Sequence, residues 1–110
     1  MAEAGQADRA SVILDELIAT IAERARELPE GSYTTKLLRE GVDRIGRKIG
    51  EEAAEVIIAA KNADANELAW EVADLWYHSL VLLAAVGADP DLVWQQLRSR
   101  HGKRRESSNE

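Results

Sequence analysis

The chain of 110 residues contains no cysteine, which excludes disulfide bonds, zinc–thiolate sites and thiol redox pairs. Long apolar runs are also missing. The longest one covers residues 80–88, far short of the roughly 20 residues that a membrane-spanning helix needs. The first ten residues include no apolar stretch, and we therefore expect no secretory signal. Together these absences predict a cytoplasmic protein that does not enter a membrane.

Hydrophobic residues make up 45% of the chain and charged residues 31%, a balance typical of a globular protein. The length fits one domain. We expect its core at about residues 9–100, with flexible ends at 1–8 and 101–110. The formal net charge of -6 opposes nucleic-acid binding. The same charge repels a phosphorylated small molecule unless a metal ion or a local basic patch intervenes.

Apolar residues recur at helical spacing along most of the chain, and no stretch alternates as a strand would. The pattern predicts long helices over about 9–28, 42–62, 65–86 and 90–100, and a short helical segment over 35–40. Short connections between these helices indicate an all-α bundle of four to five helices. The long apolar helix over 65–86 favours pairing with a second copy, so we expect a homodimer.

Acidic residues occur in pairs, three positions apart, on two neighbouring predicted helices. Glu52 and Glu55 lie on the 42–62 helix, and Glu71 and Asp74 lie on the 65–86 helix. Residues at this spacing are neighbours on a helix surface, with Cβ atoms about 5–6 Å apart. Each pair lies beside the apolar stripe of its helix rather than opposite it. Because a short turn makes the two helices antiparallel neighbours, we expect both pairs to meet at the seam between them.

Four carboxylates in a partly buried seam repel one another strongly as anions. They are therefore either protonated or bound to cations, and a site made only of oxygen ligands suits hard ions such as magnesium, manganese or calcium. In the alternative, the acids form solvated faces, with Lys48 and Lys61 among their ion-pair partners. A di-iron bundle is excluded because the chain lacks the Glu-x-x-His motifs that such a site requires.

The pattern Glu51-Glu52-x-x-Glu55, then fifteen residues, then Glu71-x-x-Asp74 resembles that of the all-α nucleoside triphosphate pyrophosphatase superfamily, the MazG and dimeric dUTPase group. Four segments resemble one family within it, the phosphoribosyl-ATP pyrophosphatases. They are PEGSYT at 29–34, KIGEEAAEV at 48–56, AAKN at 59–62 and EVADLWYH at 71–78. The resemblance covers roughly residues 12–100.

This resemblance implies a helical dimer that hydrolyses 1-(5-phosphoribosyl)-ATP to phosphoribosyl-AMP and pyrophosphate, the second step of histidine biosynthesis. It implies Mg²⁺ as the cofactor, with Mn²⁺ as a substitute. The metal ligands that it implies are Glu52, Glu55, Glu71 and Asp74. We expect Glu51, Glu52 and Glu55 to be the catalytic residues. The attacking water would be activated by the metal or by a spare carboxylate, and Glu51 is the candidate for that base.

Five further residues are candidates for contacts with the nucleotide substrate: Ser32, Tyr33, Thr34, Lys48 and Lys61. The hydroxyl groups of the first three suit phosphate or ribose, and the two lysines flank the acidic residues of their helix. The alternatives are helix capping for the serine and threonine, packing for the tyrosine, and ordinary helix ion pairs for the lysines.

His78 projects from the same side of its predicted helix as Glu71 and Asp74. It is a candidate to orient a metal-binding carboxylate from behind. The alternative is a histidine that is hydrogen-bonded within the core.

Two other functions fit the same residues. A general pyrophosphatase acting on (deoxy)nucleoside triphosphates would share the metal site and differ only in the residues that face the substrate. A helical dimerisation module with acidic surfaces would have no enzymatic activity and no stabilisation by magnesium.

Overall fold

The computed structural model describes the backbone of residues 2–107 and the side chains of residues 12–102. It contains five helices: α1 Ala2–Glu27, α2 Tyr33–Glu40, α3 Val42–Lys61, α4 Ala65–Ala85 and α5 Asp91–Ser107. No strand occurs within residues 2–107. The prediction of an all-α fold is confirmed.

Helices α2, α3 and α4 begin and end close to their predicted bounds, but α1 and α5 are longer than predicted. α1 begins at Ala2 rather than near residue 9, and α5 continues to Ser107 rather than ending near residue 100. Both extensions lack an apolar stripe, although they contain alanine, glutamate, lysine and arginine, which favour helices. Flexibility of residues 1–8 and 101–110 stays a prediction, and residues 1 and 108–110 lie outside the described part.

Local capping residues define where the helices start. The Ser32 hydroxyl accepts a hydrogen bond from the Thr35 amide at 3.2 Å at the start of α2. The Asp64 carboxylate does the same for the Glu67 amide at 3.0 Å at the start of α4. Such caps satisfy amides that have no partner within the helix. Gly41 links α2 directly to α3 with φ 94°, a backbone conformation that glycine adopts without the steric cost of a Cβ.

The core lies between the first four helices. Its buried members are Ile21 on α1, Leu37 on α2, Ile45 on α3, and Leu80 and Val81 on α4. α3 and α4 pack along one another, and α1 and α2 pack against this pair. Burying a side chain of this size contributes about 1.5–3 kcal/mol. On α3 and α4 the core lies about two helical turns from the acidic residues, so it fixes their spacing without surrounding them.

Large apolar side chains also lie on the surface. Trp70 and Trp76 are 66% and 55% exposed, and Leu97 on α5 is 59% exposed. Trp76, Leu83, Trp94 and Leu97 line an apolar groove of about 390 Å³. Within the described residues, no helix is both long enough and apolar enough to cross a membrane.

Candidate metal centre

The α3–α4 hairpin brings three acidic side chains together. Glu52 on α3 and Glu71 on α4 are each 8% exposed, and Asp74 is half-buried. One carboxylate oxygen from each residue lies within 4.8 Å of the other two. The arrangement arises because Glu71 and Asp74 are three positions apart on α4, while the turn at residues 62–64 folds α3 back alongside. Three of the four predicted ligands therefore converge.

Glu55, the fourth predicted ligand, lies at the border of this group rather than within it. Its side chain is exposed. Its negative charge is nevertheless close enough to contribute to the raised pKa of Glu71. Glu51 is also exposed, and its carboxylate lies 3.4 Å from the Lys48 ammonium. Both residues thus flank the three converging carboxylates on the solvent side of α3.

Glu71 carries the clearest electrostatic signature of the site. A hydrogen bond with Glu52 raises the pKa of Glu71 above its ordinary value of 4.5. Burial and then the charges of Glu52 and Glu55 raise that pKa further. One turn earlier on α4, a hydrogen bond with Glu71 raises the pKa of Glu67. Without a metal, Glu67 and Glu71 therefore hold protons more tightly than isolated glutamates do.

Lys48 supplies the cluster's positive charge. Its ammonium lies 3.9 Å from a Glu52 oxygen and 3.4 Å from a Glu51 oxygen, and its side chain is 22% exposed. Among the side chains of residues 12–102, no other basic group lies within ion-pair distance of Glu52, Glu71 or Asp74. One shared cation leaves excess negative charge on three carboxylates. Because all the available donors are oxygens, the site fits a hard divalent cation such as Mg²⁺ or Mn²⁺.

His78 contacts the site through the main chain of a candidate ligand. It is 3% exposed, and its Nδ1 donates a hydrogen bond to the Asp74 carbonyl at 2.8 Å. From the sequence, we expect it to orient a ligand carboxylate. The observed contact is instead to the Asp74 backbone, and the second ring nitrogen, Nε2, lies 3.1 Å from the Tyr33 hydroxyl. The histidine is both buried in the fold and joined to the site.

A second contact reinforces the attachment of the first turn of α2 to α4. The Thr34 hydroxyl hydrogen-bonds with the Tyr77 hydroxyl, next to the pair formed by Tyr33 and His78. The Tyr33 and Tyr77 rings stack with centroids 6.2 Å apart, and His78 packs edge-on against both. Burial raises the pKa of Tyr77, which keeps the phenol neutral. The segment at 32–34 is thereby fixed about one helical turn from Asp74.

The remaining candidates lie in less central positions. Ser32 serves as the α2 cap, as the capping alternative expected. Lys61 is exposed at the last residue of α3, nine positions after Glu52 and so roughly 13–14 Å further along the helix axis. Sequence reasoning missed the roles of Glu67 and Tyr77. The four-residue spacing of Glu67 and Glu71 was a readable signal, whereas nothing in the sequence paired Tyr77 with Thr34.

The fold and the site define a class: an all-α protein whose antiparallel α3 and α4 hold a carboxylate cluster able to bind a metal ion. Residues 14–101 match the phosphoribosyl-ATP pyrophosphohydrolase family. The chain belongs to this family, and the resemblance found in the sequence is confirmed.

The chain is similar both to phosphoribosyl-ATP pyrophosphatases and to bifunctional proteins of histidine biosynthesis. The phosphoribosyl-ATP pyrophosphatase of Trichlorobacter lovleyi is 52% identical over 90 residues, which are 82% of this chain and 83% of that protein. The histidine biosynthesis bifunctional protein HisIE of Bacillus subtilis is 58% identical over 91 residues, 83% of this chain and 44% of the relative. The corresponding protein of Halalkalibacterium halodurans is 55% identical over 102 residues, 93% of this chain and 48% of the relative. The chain thus spans about half the length of these bifunctional relatives.

Proposed function

We propose that this chain hydrolyses 1-(5-phosphoribosyl)-ATP to phosphoribosyl-AMP and pyrophosphate, as a step of histidine biosynthesis. The observation that carries the proposal is the convergence of the Glu52, Glu71 and Asp74 carboxylates within 4.8 Å in a chain of this family. A metal site of this kind overcomes the repulsion between a negatively charged protein and a phosphorylated substrate. A protein with a net charge of -6 binds a polyphosphate when divalent cations lie between the two.

Glu52, Glu71 and Asp74 would hold Mg²⁺, or Mn²⁺ in its place, with Glu55 as a further ligand at the border. The ion, when bound, neutralises triphosphate charge and polarises the phosphoryl oxygens. The protein's own contribution is to hold the ligands in a partly buried position. There, fewer water molecules compete for the ion and the electrostatic interactions are stronger than in bulk water.

Two exposed carboxylates beside the cluster are available for proton transfer. In the proposed reaction a water adds to phosphorus, the bond between the α- and β-phosphates breaks, and pyrophosphate leaves. The water's proton passes to a carboxylate, for which Glu51 is the candidate and Glu55 a neighbour on the same helix. The ion pair with Lys48 holds Glu51 on the side of α3 next to Glu52.

The substrate contacts proposed for Ser32, Tyr33, Thr34, Lys48 and Lys61 differ in how directly the geometry supports them. Lys48 lies 3.9 Å from a Glu52 oxygen, and Tyr33 contacts His78, which in turn bonds the Asp74 carbonyl. Thr34 is buried against Tyr77, which suits a role in fixing the start of α2 against α4. Lys61 reaches a substrate only if the substrate extends along α3.

A homodimer and a cytoplasmic location are part of the proposal. The support for a dimer is the exposure of Trp70 and Trp76 and the apolar groove that Trp76 lines together with α5. Large apolar side chains grouped in this way on a surface are typical of protein interfaces.

The direct test is an assay of pyrophosphate release with magnesium, comparing phosphoribosyl-ATP with a panel of deoxynucleoside triphosphates. We expect kcat/KM to be far higher for phosphoribosyl-ATP. Preference for any deoxynucleoside triphosphate would instead support the general pyrophosphatase, and no hydrolysis of either substrate class would refute the enzymatic proposal.

A further inference from the structure

The Tyr33 hydroxyl is constrained by a chain of hydrogen bonds that starts at the backbone of α4. The Asp74 carbonyl can only accept, so His78 Nδ1, at 2.8 Å, must carry a hydrogen. In a neutral imidazole the other nitrogen then has only a lone pair. Because His78 Nε2 lies 3.1 Å from the Tyr33 hydroxyl, that hydroxyl is the donor of this second bond whenever the imidazole is neutral.

The histidine ring is held in this orientation by its surroundings. His78 is 3% exposed, and the rings of Tyr33 and Tyr77 pack edge-on against it with centroids 5.9 Å and 5.1 Å away. Turning the ring over would leave the Asp74 carbonyl facing carbon and Tyr33 without its acceptor. Both hydrogen bonds therefore support the same tautomer and the same ring position.

Tyr33 itself is accessible to a ligand. It is 45% exposed, and it lines an open groove beside α2 together with Gly31, Ser32, Lys36 and others. A phenol has one hydrogen to donate, and His78 already takes it. What remains free on the oxygen is its lone pairs, which accept hydrogen bonds from a hydroxyl or amino group and repel the oxygens of an ionised phosphate.

We propose that His78 is a positioning residue that makes the Tyr33 hydroxyl an acceptor for a sugar hydroxyl of the nucleotide. Tyr33 therefore binds the ribose part of the substrate and not its phosphates. The inference rests on the proposed function, because it assigns one polar contact within that substrate. The substrate is then bound at two places. Carboxylate oxygens of α3 and α4 bind the phosphates through a metal, and Tyr33 binds the sugar.

The first test uses the two reaction products as separate probes. Phosphoribosyl-AMP carries ribose hydroxyls, whereas pyrophosphate has only phosphate oxygens. Tyr33→Phe should weaken inhibition by phosphoribosyl-AMP roughly threefold to tenfold, the effect of losing one hydrogen bond. Inhibition by magnesium pyrophosphate should be unchanged. The proposal would be overturned if inhibition by both products weakened equally, if only inhibition by pyrophosphate weakened, or if neither changed.

The second test asks whether His78 acts through the tyrosine. His78→Asn keeps an amide N–H near the position of Nδ1 and removes the acceptor for Tyr33, whereas His78→Gln places an amide oxygen near the position of Nε2. We expect His78→Asn to raise KM for phosphoribosyl-ATP in the wild-type background and to have no further effect on KM in Tyr33→Phe. His78→Gln should restore part of the loss. Additive effects in the double variant would show that His78 acts independently of Tyr33.

Val81→Ala is the matched control for a loss of stability in the same helix. Val81 is fully buried three positions after His78. The variant should lower Tm and leave KM unchanged, so a KM change confined to Tyr33 and His78 variants is not a consequence of weaker folding. If the wild-type protein fails to hydrolyse phosphoribosyl-ATP, the proposed function itself is wrong. If it succeeds and Tyr33→Phe behaves as wild type, only the present inference is wrong.

Discussion

The carboxylates of Glu52 and Glu71 meet across the α3–α4 interface, and both residues are only 8% exposed. Each belongs to a different helix, so the contact depends on the packing of the pair and not on local spacing. Two acidic groups at a helix interface oppose folding unless a proton or a cation lies between them. The arrangement fits the proposed cation site, whose carboxylates the core of the bundle holds together.

Glu71→Gln should stabilise the metal-free protein, because it removes one of the repelling charges. The variant should have a higher Tm than wild type in the presence of a chelator and a smaller rise in Tm on addition of magnesium. Thermal unfolding monitored by circular dichroism measures both effects. Glu16→Gln, at an exposed position of α1, is the control. A magnesium-induced rise in Tm as large as that of wild type would contradict the role assigned to Glu71.

Glu52→Gln and Asp74→Asn should each lower turnover of phosphoribosyl-ATP by more than about a hundredfold, since each removes the charge of a proposed metal ligand and preserves side-chain shape. Steady-state assays at saturating magnesium test this expectation, and unchanged far-ultraviolet circular dichroism establishes that the bundle remains folded. Asp15→Asn, an exposed residue of α1, should retain wild-type activity. Near-normal rates in either site variant would refute the metal-ligand assignment.

The pH dependence of stability should depend on Glu71. Its folded-state pKa is raised above 4.5, first by a hydrogen bond with Glu52, so the native state binds this proton more tightly than the unfolded chain does. The resulting stabilisation is fully present below pH 4.5 and is lost as pH rises through the raised value. Magnesium should bind less tightly over the same window as pH falls, since it competes with that proton.

Chemical denaturation of metal-free wild type and Glu71→Gln at a series of pH values measures this contribution. As pH rises from 4.5, the unfolding free energy of wild type should fall relative to that of Glu71→Gln. The comparison with the variant removes the contributions of carboxylates elsewhere. A difference that stays constant with pH, or that moves in favour of wild type, would contradict the raised pKa.

Ser32 should prove to be mainly a helix cap. Ser32→Ala should cost about 1 kcal/mol of stability through loss of the bond from the Thr35 amide. Ser32→Asp should keep the cap and therefore most of the stability. Urea denaturation gives the free energies, and KM for phosphoribosyl-ATP is measured alongside. A large rise in KM for Ser32→Asp, without loss of stability, would indicate that Ser32 also lies against a substrate phosphate.

Trp76 should contribute to association of two copies. It is 55% exposed and lines the apolar groove between α4 and α5. Trp76→Lys should shift the protein from dimer to monomer in sedimentation velocity experiments at micromolar concentration. Lys36→Ala, at an exposed position of α2, is the comparison variant. A stable wild-type monomer at these concentrations would refute the homodimer.

The sequence was sufficient to predict α2, α3 and α4, because apolar periodicity and turn residues such as Gly41 and Asp64 mark their ends. It also predicted that Glu52, Glu71 and Asp74 converge. Helical spacing determines the face of each helix on which the acids lie, and the short turn places the two helices side by side. The start of α1 and the end of α5 were missed because a helix without an apolar stripe leaves no periodic signal.

The hydrogen-bond partners of His78 could not be predicted from spacing along a helix. Tyr33 and His78 are 45 positions apart, and only the packing of the start of α2 against α4 brings them together. The same holds for Thr34 and Tyr77. Contacts of this kind depend on tertiary structure, whereas the acidic pairs are encoded within single helices.

The most direct test of the central claim is a titration of Mn²⁺ into the metal-free protein, followed by electron paramagnetic resonance of the free ion. The account predicts that wild type removes Mn²⁺ from solution, that Mg²⁺ releases it, and that Glu52→Gln/Asp74→Asn abolishes the binding. Equal free Mn²⁺ in the presence of wild type and of the double variant would show that the three carboxylates do not form a metal site.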